Sequence, residues 1–181
     1  MRRLPSLLLS LLLALPAASL AQEGRVKLPD FSDLAKRATE SVVVTLDRDM
    51  LQSVSQLVTP KDSRDAAANA AISGLEGVYV RSFTFARDND YSRADVDSIL
   101  KQLHAPTWSP MVSVHDTGKN EDVNIYLCRD KGQTKGMVIV AAEPRELTIV
   151  NIVGNVDPAK LGQLGGRFGI PSIPQDHKGS P

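Results

Sequence analysis

Residues 108–153 read WSPMVSVHDTGKNEDVNIYLCRDKGQTKGMVIVAAEPRELTIVNIV, and the punctuation inside that stretch decides the fold. Four runs rich in β-branched and aromatic residues, Trp108 to Asp116, Asp122 to Arg129, Gly136 to Ala142 and Leu147 to Val153, read as strands. The links between them are Thr117-Gly118-Lys119-Asn120, Asp130-Lys131-Gly132-Gln133 and Glu143-Pro144-Arg145-Glu146. Parallel neighbours need a crossover of about a dozen residues or more, so links this short predict an antiparallel meander. Its last two strands, MVIVAA and LTIVNIV, are apolar at consecutive positions. They are expected to be central and covered on both faces, or to turn one face toward a partner.

Working upstream, Arg93 to Leu103 reads as a helix with Val96, Ile99, Leu100 and Leu103 on its apolar face, and Gly77 to Phe85 as a strand. Asp65 to Leu75 is alanine-rich and helix-favouring, closed by Gly74 and Gly77. Met50, Leu51, Val54, Leu57 and Val58 fall on one helical stripe that Pro60 ends, after the strand candidate Ser41 to Leu46. Leu28 to Glu40 is expected to be a short amphipathic helix, with Asp30 near its start and Phe31, Leu34, Ala35 and Ala38 on one side. Downstream, Asp157-Pro158 suits a helix start, Leu161 and Leu164 supply a small apolar face, and Gly165-Gly166 and Gly169 end it. The expected class is α+β: an antiparallel sheet of four to five strands in a single domain, with helices packed mainly on one face. That domain spans residues 40–171, after a helical lead-in over 22–39 and before a disordered, proline-rich tail over 172–181.

The beginning of the chain has a different character. Arg2 and Arg3 precede an apolar run from Leu7 to Leu15 and the small-residue stretch Ala17-Ala18-Ser19-Leu20-Ala21. This is the pattern of a secretory signal peptide over residues 1–21, with Ser19 and Ala21 placed for cleavage after Ala21. Ser10 and Pro16 interrupt a run already short of the roughly 20 apolar residues a membrane span needs. The bare arginine pair is weak support for the twin-arginine route. The expected product is periplasmic or secreted, without a stable membrane anchor. Of 21 basic and 21 acidic residues, the leader removes two arginines, and the slight acidic excess left speaks against a nucleic-acid partner. With one cysteine, Cys128, an exported chain has no internal disulfide and must stand on its hydrophobic core. Cys128 is expected to be a buried, inert thiol on the strand face shared with Tyr126, opposite Val123, Ile125 and Leu127.

Candidate chemistry is sparse. His104, His115 and His177 are far apart, and none has another histidine or a cysteine at ligand spacing, although His115-Asp116 at a strand end could join a site assembled in three dimensions. Ser73 before Gly74 lacks the first glycine of a nucleophile elbow. Gly162, Gly165, Gly166 and Gly169 come late in or after a helix, and have neither the Gly-Lys of a phosphate loop nor the strand-to-helix setting of a dinucleotide loop. Arg87-Asp88-Asn89-Asp90-Tyr91 lacks the order of a calcium loop, and Glu121-Asp122 reads as a solvated turn pair. No catalytic, cofactor-binding or metal-ligating residue is assigned, and no cofactor is expected.

The ordered series SVVVTLDRDMLQSVSQLV, LEGVYVRSFTF, WSPMVSV, EDVNIYLCRDKGQTKGMVIVAAEPRELTIVNIVGNVDPAKLGQL and FGIP resembles the bacterial family called domain of unknown function 4252, over about residues 40–171. The resemblance implies an exported envelope protein, often lipid-anchored in relatives; this chain departs from them in having no lipobox cysteine. No activity comes with the family, so no catalytic residue is carried over. The leading expectation is a non-catalytic periplasmic binding or interaction module, working with an envelope protein partner or by self-association. The alternatives are a hydrolase whose site is assembled from distant residues, and a carrier of a small apolar ligand.

Overall fold

The computed structural model describes residues 24–57 and 72–155. The leader, most of the alanine-rich segment, Val58 and Pro60, the helix expected after Asp157, the late glycines, His177 and the tail lie outside the described residues.

One antiparallel sheet organises the chain. Its strands are β1 (Glu40–Asp47), β2 (Leu75–Thr84), β3 (Trp108–Asp116), β4 (Glu121–Asp130), β5 (Gln133–Glu143) and β6 (Glu146–Gly154), in the order β1-β2-β6-β5-β4-β3. The meander β3 to β6 forms as expected, with continuous pairing from Trp108↔Cys128 through Glu143↔Glu146. The expectation of four to five strands is corrected to six, because both upstream strands join. β2 pairs along β6 from Leu75↔Gly154 to Thr84↔Glu146, and β1 pairs along β2. The cause lies in β6: every residue from Leu147 to Gly154 is buried. Such a strand cannot end a sheet without exposing a row of unpaired amides and carbonyls, and β2 covers that row.

Helices cover both faces, which corrects the expectation of one. They are α1 (Ser32–Arg37), α2 (Arg48–Leu57) and α3 (Arg93–Leu100). On one face Phe83, Val138, Val140, Leu147 and Ile149 pack with Phe31 and Leu34 around α1, Val96 and Ile99 of α3, and Val26. On the other, Val80, Ile125, Ile139, Val150 and Ile152 pack with Leu51 of α2. Consecutive apolar positions in β5 and β6 thus feed two cores at once. Each fully buried Val, Leu, Ile or Phe contributes about 1.5–3 kcal/mol relative to exposure.

The remaining differences are at element ends. α1 is six residues rather than the whole of 28–40, because Ala38 is already extended and its amide closes the helix on Leu34. Leu75 belongs to β2, where sheet pairing overrides the helix propensity of the alanines before it, and Gly77 lies inside that strand. Met50 is half exposed, so the stripe read through it does not all face the core. α3 stops at Leu100, with Leu103 buried beyond it. Ser92 starts α3 by donating from its amide and hydroxyl to Asp95 Oδ2 at 2.9 and 2.8 Å. The β4–β5 link turns on Lys131 and Gly132, both left-handed at φ 47° and 80°, the tight turn that matches strand twist.

Candidate functional site

A cleft of about 130 Å³ opens where α3 leaves the edge of the first face. Tyr91, Arg93, Val96 and Leu100 form one wall, and Asp122, Asn124, Val140 and Ala142 of β4 and β5 form the other. Asn120 Nδ2 donates to Asn89 Oδ1 at 3.4 Å across its mouth. Register explains the polar cluster beside it. The β3–β4 turn sets His115 opposite Asp122 and Ser113 opposite Asn124, and cross-strand partners share a face. His115 Nδ1 meets Asp122 Oδ1, Arg93 Nη1 donates to Asp122 Oδ2 at 3.3 Å, and Ser113 Oγ donates to Asn124 Oδ1 at 2.9 Å.

Tyr91 closes the inner end by donating from its hydroxyl to the Glu143 carbonyl oxygen at 2.5 Å. Burial, helped by the negative charges of Glu143 and Asp122, pushes its phenol up to about 12. It is therefore a neutral donor at ordinary pH. Burial also raises the Glu143 carboxyl above its usual range, with Glu146 and Glu121 adding repulsion. The cluster has a base and a carboxylate, but the nearby Ser113 hydroxyl is committed to Asn124, and a nucleophile needs that bond to go to the base. At about 130 Å³ the cleft is also below the roughly 300 Å³ at which drug-sized ligand sites begin.

The sequence candidates are scattered. His104 is exposed beyond α3, with Nδ1 near its neighbour's carbonyl. Asp116 points away from His115 and accepts from the Gly118 and Lys119 amides at 2.9 and 3.0 Å, which shapes the turn. Ser73 is exposed just before β2. Cys128 is buried at 2% exposure. Arg145 Nε donates to Asp88 Oδ1 at 2.6 Å and Arg87 pairs with Asp90 at 3.4 Å, so arginines neutralise the 87–91 loop. Among the described residues no three His, Cys, Asp or Glu side chains gather as a metal site. The pairing of His115 with Asp122 and the part of Tyr91 and Arg93 were not read from the sequence. Counting strand register across the four-residue link would have found the first.

The two sheet edges differ more sharply than the cleft does from its surroundings. β3 carries Pro110, which has no amide to offer, and its register breaks between Pro110 and Val112; both features blunt an edge against further pairing. β1 pairs with β2 without a break from Glu40↔Thr84 to Asp47↔Gly77, and its sequence ESVVVTLD holds no proline, glycine or lysine. Val42 and Val43 are 41% and 60% exposed. Among the described residues β1 has a strand on one side only.

These six strands lie within the stretch matched by the family model described as Domain of unknown function (DUF4252), residues 36–164. The chain belongs to the DUF4252 family. The DUF4252 match begins at the end of α1, takes in β1 to β6 and ends before the FGIP stretch at 168–171. No curated protein matches the chain. Among the described residues of this DUF4252 protein, no helix is long and apolar enough to cross a membrane.

Proposed function

We propose that this DUF4252 protein is an exported envelope protein that acts as a non-catalytic binding or interaction module. The observation that carries the reading is β1: an unbroken, valine-rich strand with Val42 and Val43 exposed, which among the described residues is an edge with one side of its ladder unpaired. Main-chain hydrogen bonds along such an edge supply affinity, and the alternate side chains supply selectivity. The secretory pattern of residues 1–21 supports the compartment. The small cleft, and the neighbouring cluster in which the Ser113 hydroxyl donates to Asn124 rather than to His115, support a role other than hydrolysis.

The test is site-specific photocrosslinking in intact cells, using a tagged full-length chain so that its own leader directs it. A photoreactive residue at Val43 is expected to give a discrete adduct of the processed protein, and the same residue at Ser109 on the blunted edge is expected to give none. Equal labelling from both edges, or no adduct from Val43, would end the interaction-module reading. Retention of an unprocessed chain in the cytoplasm would end the export reading.

A further inference from the structure

We infer that the partner of the β1 edge is a second copy of this chain, joined by antiparallel β1–β1 pairing about a two-fold axis through the Val44 positions. This rests on the interaction-module reading and names its partner.

The Arg81 guanidinium marks which groups of β1 face β2 and which face outward. Arg81 Nη1 lies 3.0 Å from the Val44 carbonyl oxygen and 2.8 Å from that of Val80, its cross-strand neighbour. One nitrogen can reach both only if the two carbonyls lie between the strands, so Val44 and Val80 form a hydrogen-bonded pair. Alternation along the strand then turns the amides and carbonyls of Ser41, Val43, Thr45 and Asp47 outward. A two-fold axis that extends the sheet must keep each face continuous, so even positions meet even and odd meet odd. Outward-facing odd residues then pair with each other, as the ladder requires.

Charge selects the register among those allowed. With Val44 opposite Val44 of the second copy, Val42 meets Leu46 and Val43 meets Thr45. Glu40 then comes opposite Arg48, and Ser41 opposite Asp47. β1 together with the first residue of α2 is therefore self-complementary: apolar at the centre, with Glu40 at one end and Arg48, one position past the last strand residue, at the other, where opposite charges facing each other are stabilising. Glu40 and Arg48 are both exposed, and Arg48, through Nη2, pairs with Glu76 at 3.0 Å while its side chain stays 58% exposed. Moving the axis to Val43 would put Glu40 opposite Leu46 and lose the charge pairs.

The test uses the purified exported protein and three variants. The wild type is expected to show a dimer mass by light scattering at concentrations well above micromolar. Val44→Cys places two thiols at a non-hydrogen-bonded position with Cα atoms about 4.5 Å apart, within disulfide reach, so mild oxidation is expected to give a covalent dimer. Val43→Cys, displaced by one ladder step, is expected to give little, and the wild type none, because Cys128 is buried. Val43→Glu faces Arg81 within the monomer but adds like charges across the axis. It is expected to weaken association about tenfold or more with an unchanged circular dichroism spectrum. A monomeric wild type, or a dimer untouched by Val43→Glu, overturns the proposal, and bridging by Val43→Cys in preference to Val44→Cys overturns the register. If Val43 photocrosslinks in cells to a different protein while the purified chain is monomeric, the second copy is wrong and the module reading stands. Without any adduct the module reading falls as well.

Discussion

Asn151 holds Gly24. Its Nδ2 donates to the Gly24 carbonyl at 2.9 Å while its Oδ1 accepts from the Val26 amide at 2.9 Å, so one side chain imitates a strand partner for the start of the described chain. A second bond from Nδ2 to the Met137 carbonyl at 3.2 Å ties the same amide to β5. Asn151 is fully buried among valines and isoleucines of the central strand. There an amide is tolerated only because its bonds are made.

Asn151→Leu keeps the branching and the number of heavy atoms, adds some volume and removes every bond. Two backbone groups, the Gly24 carbonyl and the Val26 amide, would then lose their partner in a buried setting. The expected cost is about 2–3 kcal/mol, read as a lower urea midpoint. Hydrogen exchange at Val26 should accelerate more than exchange in β5. A loss below about 0.5 kcal/mol, within the usual range for neutral surface changes, would show that the segment is not held through Asn151.

Gly136 makes the same docking possible from beneath. A Cβ there would lie 2.7 Å from both the Cα and the carbonyl oxygen of Gly24, and backbone cannot step aside as a side chain can. Gly136→Ala is expected to cost about 1–3 kcal/mol, the range for overpacking. Since it displaces the segment that Asn151 binds, the double variant should cost less than the sum of the two single ones. Full additivity in urea denaturation would mean that the two residues support different contacts.

Much of the sheet could be read from the sequence because its signals are local. Links of four residues point to antiparallel neighbours, and the double-sided apolar runs of β5 and β6 mark the centre. What was not legible depends on distant pairing. Nothing in GVYVRSFTF says that it adds to β6, and Leu75 reads as the end of an alanine-rich helix until β6 is beside it. Helix placement on both faces was hidden for the same reason, since a continuous apolar run does not say what will cover it. In the cleft, Asp122 looked like one of two solvated turn carboxylates, because its partners His115 and Arg93 come from another strand and from α3. The edge character of β1 needed the strand order, which no spacing within ESVVVTLD encodes.

Asp122 gathers two positively chargeable partners, yet it is expected to matter little for stability. Its partners Arg93 and His115 have side chains 73% and 63% exposed, and ion pairs of that kind contribute about 0–1 kcal/mol. Asp122→Ala should therefore shift the urea midpoint by less than about 1 kcal/mol at low salt, and by less still at high salt, where surface charges are screened. A cost of several kcal/mol would show that the carboxylate supports the strand end itself.

Glu143 should give the folded protein an unusual response to acid. Burial, then repulsion from Glu146 and Glu121, holds its carboxyl above the ordinary value of 4.5 in the folded state. Between that ordinary value and the raised one, the folded chain binds the proton that the unfolded chain has already released. Stability contributed by this group is thus lost as pH rises through the window, and the charged form remains a burden at neutral pH. Glu143→Gln removes the titration but leaves the bond from Tyr91, which goes to the main-chain oxygen. The variant is expected to be more stable than the wild type at pH 7 and to converge with it below about pH 4.5, where both side chains are neutral. Urea midpoints measured across that range check the sign directly. Parallel profiles for the two proteins would show that Glu143 is solvated like any surface carboxylate, and a variant less stable at pH 7 would mean that its charge is favourably paired.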